Sequence, residues 1–270
     1  MASFSSGGFN IAYDDIHPAD AAGTVFLVHG FATNRDENWK RLGWYAAFAS
    51  RTYRLVALDL RGHGQSDKPH DPAAYGRDDI LGDIVALMDH LGLGRVDLMG
   101  YSMGAQLSLR TALSHPDRVA NLIVGGIGGR MFQPPAAPTG TGPTMSMAEA
   151  MRTDDVESIK DATMKGFRRF AEQQGEDRFA LAASSEGRGG GRTVTKDDLA
   201  TIAMPTLVVA GSRDQMAGDP QGLADLIPGA RAVTLPGVDH FSAIPHALFK
   251  AAVFDFLDGY PDEQEGPPSW

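Results

Sequence analysis

The chain has 270 residues, of which 43% are hydrophobic, with a formal net charge of −10 and no cysteine. This length and composition can form one large buried core, with or without a smaller inserted domain. The negative charge disfavours binding to the phosphates of nucleic acids, and the lack of cysteine excludes disulfides and cysteine-based metal sites.

The first residues, MASFSSGGFNIAYDD, show neither a basic segment nor a long apolar segment of the kind found in secretory signals. No apolar run approaches the roughly 20 residues that span a bilayer. We therefore expect a cytoplasmic protein without a membrane span. The sequence leaves the oligomeric state open, and a homo-oligomer is among the options.

Short runs rich in valine, leucine and isoleucine predict the strands. In chain order they are 24–30, 53–62, 96–102, 121–129, 205–214 and 231–237. These runs lack polar alternation, which is typical of a parallel sheet covered on both faces. The earlier segment FNIAYDDIHP (9–18) alternates more and predicts an antiparallel edge.

Helix-like segments lie between these strands, at 78–94, 102–116 and 245–259. The first has apolar residues at helical spacing, and Pro116 stops the second. The alternation of strands and helices predicts an α/β fold, with a mostly parallel central sheet and helices on both faces.

Residues 130–200 interrupt this alternation. They begin with a stretch rich in proline and glycine, continue with charged, helix-like segments, and include the glycine-rich loop EGRGGGR. Because the segment lies between two core strands, we expect a small helical cap over the C-terminal edge of the sheet, where open α/β sheets bind ligands. Residues 1–129 and 201–270 would then form the core. A long surface excursion without a functional role is the alternative.

Residues 100–104 read GYSMG and lie between a predicted strand and a predicted helix. Gly-x-Ser-x-Gly in this context is the nucleophile-elbow pattern, in which a strained turn exposes the serine hydroxyl beside a helix N-terminus. The pattern makes Ser102 the candidate nucleophile. By itself the pentapeptide is also compatible with an ordinary turn.

A serine nucleophile in this arrangement needs an acid and then a histidine further along the chain. Asp214 lies in the loop beyond the C-terminal end of the predicted strand PTLVVA, and Asp219 follows in the same loop. Asp219 directly precedes a proline and resembles the start of a helix, so we prefer Asp214 as the acid. Only His240 and His246 follow it. His240 lies between the last predicted strand and the last helix, and we prefer it as the base.

The negative charge that develops on the substrate oxygen requires two backbone N–H donors. Met103, directly after the candidate nucleophile, would supply one. Phe31, in the loop HGFATN that follows the first predicted core strand, would supply the other, and Gly30 allows that backbone to come close.

With these residues identified, the chain closely resembles the α/β-hydrolase superfamily from about residue 23 to residue 258. The resemblance rests on HGF (29–31), DLRGHGQS (59–66), GYSMGA (100–105), HPDRV (115–119), PTLVVAGSRD (205–214) and GVDHF (237–241). It implies Ser102 as nucleophile, Asp214 as acid and His240 as base. We read Arg61 and His63 of the second motif as parts of a tight turn.

We expect a cofactor-free and metal-free carboxylesterase that cleaves a small-molecule ester through an acyl-enzyme. Haloalkane dehalogenases and epoxide hydrolases of this superfamily carry an aspartate nucleophile, and Ser102 argues against both. Carbon–carbon hydrolases often have asparagine where Tyr101 stands, and perhydrolases share the Ser-Met-Gly elbow. A carbon–carbon hydrolase, a perhydrolase and a ligand receptor with the same triad stay open as alternatives.

The pocket under the predicted cap decides the substrate. Its candidate apolar lining residues are Met131, Phe132, Met164 and Phe167. Each of them can equally form the ordinary core of the cap.

Overall fold

A computed structural model describes residues 2–133, 145–188 and 193–259. Its strands are β1 (Ala2–Ser6), β2 (Phe9–Ile16), β3 (Thr24–Val28), β4 (Arg54–Leu58), β5 (Val96–Tyr101), β6 (Val119–Gly125), β7 (Thr206–Gly211) and β8 (Arg231–Leu235). Within the described residues they form one sheet in the order β1-β2-β4-β3-β5-β6-β7-β8.

The α-helices lie between and after these strands. They are α1 (Trp44–Ala49), α2 (Arg77–His90), α3 (Met103–Ser114), α4 (Met147–Arg152), α5 (Ala162–Gln174), α6 (Arg178–Gly187), α7 (Lys196–Leu199), α8 (Gln221–Ala224) and α9 (Ala247–Leu257). A single π-helical turn, Asp36–Lys40, precedes α1.

The predicted α/β fold with a mostly parallel sheet is confirmed. From β4 to β8 across the sheet all neighbours are parallel, whereas β2 is antiparallel to both β1 and β4. The antiparallel strand predicted at 9–18 is β2, but it lies second from the edge. The edge strand itself is β1, whose short and polar sequence ASFSS gives no hydrophobic signal.

Both faces of the sheet are covered, which explains the apolar strands. On β3, Phe26 and Val28 point into a core that includes residues of α2 and α3. Val25 and Leu27 point into a second core on the opposite face, with residues of α1 and α9. The alternation of a strand sends successive side chains to opposite faces, so each strand serves two apolar layers.

The helices α4–α7 lie between β6 and β7, within the predicted cap segment 130–200. Phe167 of α5 packs edge to face against Phe31 of the core, with ring centroids 5.9 Å apart, and against Phe241 at 5.6 Å. The described part of the segment is therefore helical and contacts the sheet edge. The proline- and glycine-rich start at 134–144 and the loop at 189–192 lie outside the described residues, and the boundaries at 130 and 200 stay a prediction.

Among the described residues, we find no helix that is both long and apolar enough to pass through a membrane.

His29 and His63 form a buried histidine pair beneath the sheet edge, with ring centroids 5.2 Å apart. Burial lowers the pKa of His29 and lowers that of His63 further, because the charged imidazolium loses its hydration. Below about pH 6.5 the unfolded chain then binds more protons than the folded chain, so acid destabilises the fold.

We expect His63→Gln to reduce this acid sensitivity. Between pH 7.5 and 5.5 the free energy of unfolding of the variant should fall by about 1 kcal/mol less than that of the wild type. Urea titrations at the two pH values measure this difference, with His17→Gln, at an exposed histidine, as the control. Equal losses in wild type and His63→Gln would show that His63 is not held neutral.

Candidate active site

Ser102 stands at the turn between β5 and α3 with an unusual backbone conformation. Its φ is 53° and its ψ is −112°, in the left-handed half of conformational space that a non-glycine residue rarely adopts. Its N–H donates to the carbonyl of Gly125 on β6 at 2.8 Å. The turn thus has the strained form expected of a nucleophile elbow, and it directs the side chain away from the strand.

Two glycines make this turn possible, because the strand and the helix come too close for side chains. A Cβ on Gly100 would lie 2.3 Å from the carbonyl oxygen of Gly104. A Cβ on Gly104 would lie 2.1 Å from the carbonyl oxygen of Val28 on β3. Both distances are far inside van der Waals contact, so positions 100 and 104 require glycine.

His240 lies in the loop between β8 and α9, and its Nε2 is 2.9 Å from Oγ of Ser102. The loop is held in two ways. The Tyr101 hydroxyl donates to the carbonyl of His240 at 2.5 Å. The Asp239 carboxylate accepts from the N–H groups of Phe241 and Ser242. These contacts position the imidazole beside the serine.

Asp214, in the loop after β7, completes the hydrogen-bonded chain. Its Oδ2 lies 2.7 Å from Nδ1 of His240, and its Oδ1 accepts from the N–H groups of Met216 and Ala217. An ionised carboxylate can only accept, so the proton of His240 lies on Nδ1. The lone pair of Nε2 is then free to accept the proton of the Ser102 hydroxyl.

The two rejected candidates lie elsewhere and have local roles. Asp219 accepts from the N–H of Gln221 at the start of α8. Nδ1 of His246 accepts from the N–H of Leu248 at the start of α9. The structure brings together Ser102, Asp214 and His240 and leaves these two apart.

The predicted oxyanion donors flank Ser102. Met103 is the first residue of α3, where backbone N–H groups have no partner within the helix. Gly30, which precedes Phe31, packs so close that its Cβ position would lie 3.6 Å from Cβ of Ser102. Both donors thus come from backbone beside the serine, and their role in catalysis is a proposal.

The loop that carries Phe31 is anchored by a buried ion-pair network. Asp59 accepts from the backbone N–H and the guanidinium of Arg35 and from the N–H of Gln65. Arg35 also pairs with Asp14 at 3.3 Å. At Gly64, whose φ is +54°, a Cβ would lie 2.3 Å from the Asp59 carboxylate. The network ties the loop after β3 to the turn after β4.

The segment after α5 is tied to the same two loops through Glu176. Its carboxylate accepts from Nδ2 of Asn34 at 2.8 Å and from the N–H of Gly64 at 2.9 Å. Burial raises the pKa of Glu176, and these two hydrogen bonds oppose that rise. Glu176 therefore connects the end of α5 to the backbone that positions Phe31.

A cavity of about 200 Å³ opens in front of Ser102 and His240. Its walls are mainly apolar, with Phe31, Leu42, Tyr101, Phe167, Phe170, Phe241 and Ile244 among them. Of the four predicted lining residues only Phe167 lines it, while Met131 and Phe132 pack against the core. Phe170 and Phe241 also line the cavity but were not predicted. Only the tertiary fold brings Phe241 there. Phe170 follows Phe167 by three residues, a helical spacing that pointed to it.

Arg188 approaches the site from the end of α6. Its guanidinium lies over the ring of Phe31, 5.1 Å from the centroid, and burial lowers the pKa of Arg188 to about 10.

Residues 2–133, 145–188 and 193–259 contain no group of three or more His, Asp or Glu side chains that could bind a metal ion.

A sequence profile of the alpha/beta hydrolase fold matches residues 23–155. The enol-lactonase from Burkholderia xenovorans LB400 is 25% identical and superposes with a TM-score of 0.77, covering 95% of this chain and 100% of its own. The chain belongs to the α/β-hydrolase superfamily.

Two curated α/β-hydrolase relatives differ in how much of the chain they match. Epoxide hydrolase 2 of Siraitia grosvenorii is 36% identical over 122 residues, which are 45% of this chain and 36% of that protein. The match thus spans little more than a third of that relative. The 2-hydroxymuconate semialdehyde hydrolase of Pseudomonas sp. (strain CF600) is 27% identical over 259 residues, or 90% of this chain and 89% of its own.

The close approach of α3 to β3 in this α/β-hydrolase can be tested with two glycine substitutions. Gly104→Ala places a methyl group against the carbonyls of Val28 and His29, and we expect it to destabilise the fold by about 1–3 kcal/mol. Gly82→Ala, on an exposed face of α2 with open space around it, should stabilise the fold by about 1 kcal/mol. Urea denaturation measures both, and a neutral Gly104→Ala would contradict the packing of the elbow.

Proposed function

We propose that the protein is a serine hydrolase that cleaves small carboxylic esters without a cofactor. The observation that carries this proposal is the chain of hydrogen bonds from Ser102 through His240 to Asp214, at the base of an apolar cavity. Membership in the α/β-hydrolase superfamily leads us to expect hydrolysis. The residues of the site indicate that the nucleophile is a serine.

In the first half of the reaction, Ser102 Oγ attacks the ester carbonyl while Nε2 of His240 takes the hydroxyl proton. Asp214 stabilises the imidazolium that forms. The N–H groups of Phe31 and Met103 hold the negative oxygen of the tetrahedral intermediate, each contributing roughly 3 kcal/mol of transition-state stabilisation. The imidazolium then protonates the oxygen of the leaving alcohol, and the acyl group remains on Ser102.

The second half repeats these steps with water. Nε2 of His240 takes a proton from a water molecule while the oxygen of that water attacks the acyl carbonyl. The same two N–H groups hold the second tetrahedral oxygen. When this intermediate collapses, the proton returns to Oγ of Ser102 and the carboxylic acid leaves.

The comparisons support an ester as substrate over an epoxide. A lactone is a cyclic ester, and the enol-lactonase matches nearly the whole chain. The epoxide hydrolase is more similar in sequence but over a shorter segment. Epoxide hydrolases of this superfamily use an aspartate nucleophile, and this chain has Ser102 in the elbow.

Carbon–carbon bond hydrolysis is the second candidate, because the 2-hydroxymuconate semialdehyde hydrolase matches 90% of the chain. Tyr101 counts against it, since it occupies the position where such enzymes often carry asparagine. Its hydroxyl donates to the carbonyl of His240, and its ring packs against His240 and Phe249. A perhydrolase and a slow ligand receptor would use the same three residues.

Ser102→Ala should abolish covalent labelling by a fluorophosphonate probe. It should also lower the rate of ester hydrolysis by about a thousandfold or more. The probe reacts only with an activated serine hydroxyl. Ser114→Ala, at an exposed serine at the end of α3, is the matched control and should label like the wild type. Labelling that survives in Ser102→Ala would rule out Ser102 as the nucleophile.

The type of bond can be decided with purified protein and two substrate classes. We expect steady turnover of short p-nitrophenyl esters, and much slower consumption of 2-hydroxymuconate semialdehyde, followed by absorbance. Turnover of the semialdehyde without turnover of any ester would favour the carbon–carbon hydrolase. A burst of p-nitrophenol without a following steady rate would favour a receptor.

A further inference from the structure

Two amide side chains stand out among the apolar walls of the cavity. Asn38 comes from the π-helical turn and Gln174 from the C-terminal end of α5, and both line the cavity in front of Ser102. Each has a buried polar atom without a protein hydrogen-bond partner in the described part of the chain. These atoms are Nδ2 of Asn38 and Oε1 of Gln174.

The orientation of the Asn38 amide is fixed by the backbone. Its Oδ1 accepts the N–H of Gly30 at 3.2 Å, and the opposite orientation would set two N–H groups against each other. Nδ2 is therefore the group left without a partner. Asn38 is only 2% exposed, and a buried amide donor without an acceptor costs about 1–3 kcal/mol. A ligand oxygen in the cavity would remove this cost.

Gln174 is held in place by its neighbours in the chain. Gly175, with a φ of 69°, ends α5, and the carboxylate of Glu176 bonds to Asn34 and Gly64 of the core. The backbone at 174 is thereby fixed to the loop that also carries Asn38. No hydrogen bond within the described residues fixes the amide of Gln174, so it can present either its N–H or its oxygen to a ligand.

The charges around these amides favour a neutral ligand group. Glu37, which pairs with Arg41 at 3.0 Å, lines the same cavity. The described residues that line the cavity include no lysine or arginine. Arg188 covers the ring of Phe31 but is not among the lining residues. A carboxylate on the ligand would find no lysine or arginine among the described lining residues to pair with, whereas a ketone or hydroxyl oxygen would need only the amide groups.

We propose that Asn38 and Gln174 form a polar subsite that selects esters with a second, neutral oxygen, a ketone or hydroxyl, a few bonds from the ester group. Nδ2 of Asn38 donates to that oxygen. Gln174 donates to a ketone, or accepts from a hydroxyl. This subsite deepens the proposed esterase function and rests on it.

The kinetic test compares esters of equal chain length. The first pair is p-nitrophenyl 4-oxopentanoate and p-nitrophenyl pentanoate. The second pair is p-nitrophenyl 5-oxohexanoate and p-nitrophenyl hexanoate. We expect the wild type to prefer the oxo ester of at least one pair by about fivefold or more in kcat/KM, which corresponds to one hydrogen bond. Gln174→Met should lower that preference to about twofold or less, and Gln173→Met, at the exposed neighbour, should keep it.

Asn38→Asp provides the second variant. The carboxylate retains an acceptor for the N–H of Gly30 but removes the donor Nδ2, so the preference for the oxo ester should again be lost. A wild type without preference in either pair would overturn the subsite, as would variants that keep the wild-type ratio. Preference for the anionic mono-p-nitrophenyl butanedioate over the oxo esters would overturn the neutral-oxygen assignment.

Binding to the Ser102→Ala protein separates the subsite from the esterase proposal, because it requires no turnover. Calorimetry with methyl 4-oxopentanoate and methyl pentanoate, and with methyl 5-oxohexanoate and methyl hexanoate, should show tighter binding of the oxo ester in at least one pair. If the oxo ester binds more tightly but the wild type hydrolyses no ester, the esterase proposal fails and the subsite stands. If esters turn over but both esters of each pair bind equally, the subsite fails alone.

Discussion

The left-handed backbone of Ser102 is the constraint on which the site depends. A non-glycine residue at such a position costs of order 1–3 kcal/mol, and the surrounding fold must supply that energy. Here the strand–helix crossing supplies it, because Gly100 and Gly104 allow β5, α3 and the end of β3 to come within contact of their backbones. The crossing lifts the Ser102 hydroxyl off the sheet edge to where His240 can reach it.

The parallel sheet brings the other groups to the same edge. Phe31, Asp214 and His240 follow β3, β7 and β8, so their loops all leave the sheet at its C-terminal side. Carboxylates then fix the loops: Asp59 ties down the backbone near Phe31, and Glu176 joins the end of α5 to it. The loop that carries Phe31 is thus held by ion pairs and hydrogen bonds that take no part in the proposed chemistry.

The features that could be predicted from the sequence are those that depend on local residue patterns. The apolar strands and the elbow around Ser102 are signals of short range, and the chain order then selected Asp214 and His240. Helix α1, WYAAFA, was not predicted because it is short and has no polar face. Arg35 lies 24 residues from Asp59, and Asn34 and Gly64 lie more than 100 residues from Glu176, so no local pattern could reveal these pairs. The same holds for Nδ2 of Asn38 and Oε1 of Gln174, which have no hydrogen-bond partner within the described residues and which only the folded cavity shows.

The proposed covalent chemistry at Ser102 is tested most directly by trapping the acyl-enzyme. The wild-type protein would be mixed with a p-nitrophenyl ester, quenched in acid within milliseconds, digested and mapped by mass spectrometry. An acyl group on the peptide that contains Ser102, at that residue, is the predicted result. Turnover of the ester with the acyl group on another side chain, or with no covalent adduct at any quench time under conditions where release of the acid is rate-limiting, would contradict a nucleophilic role for Ser102.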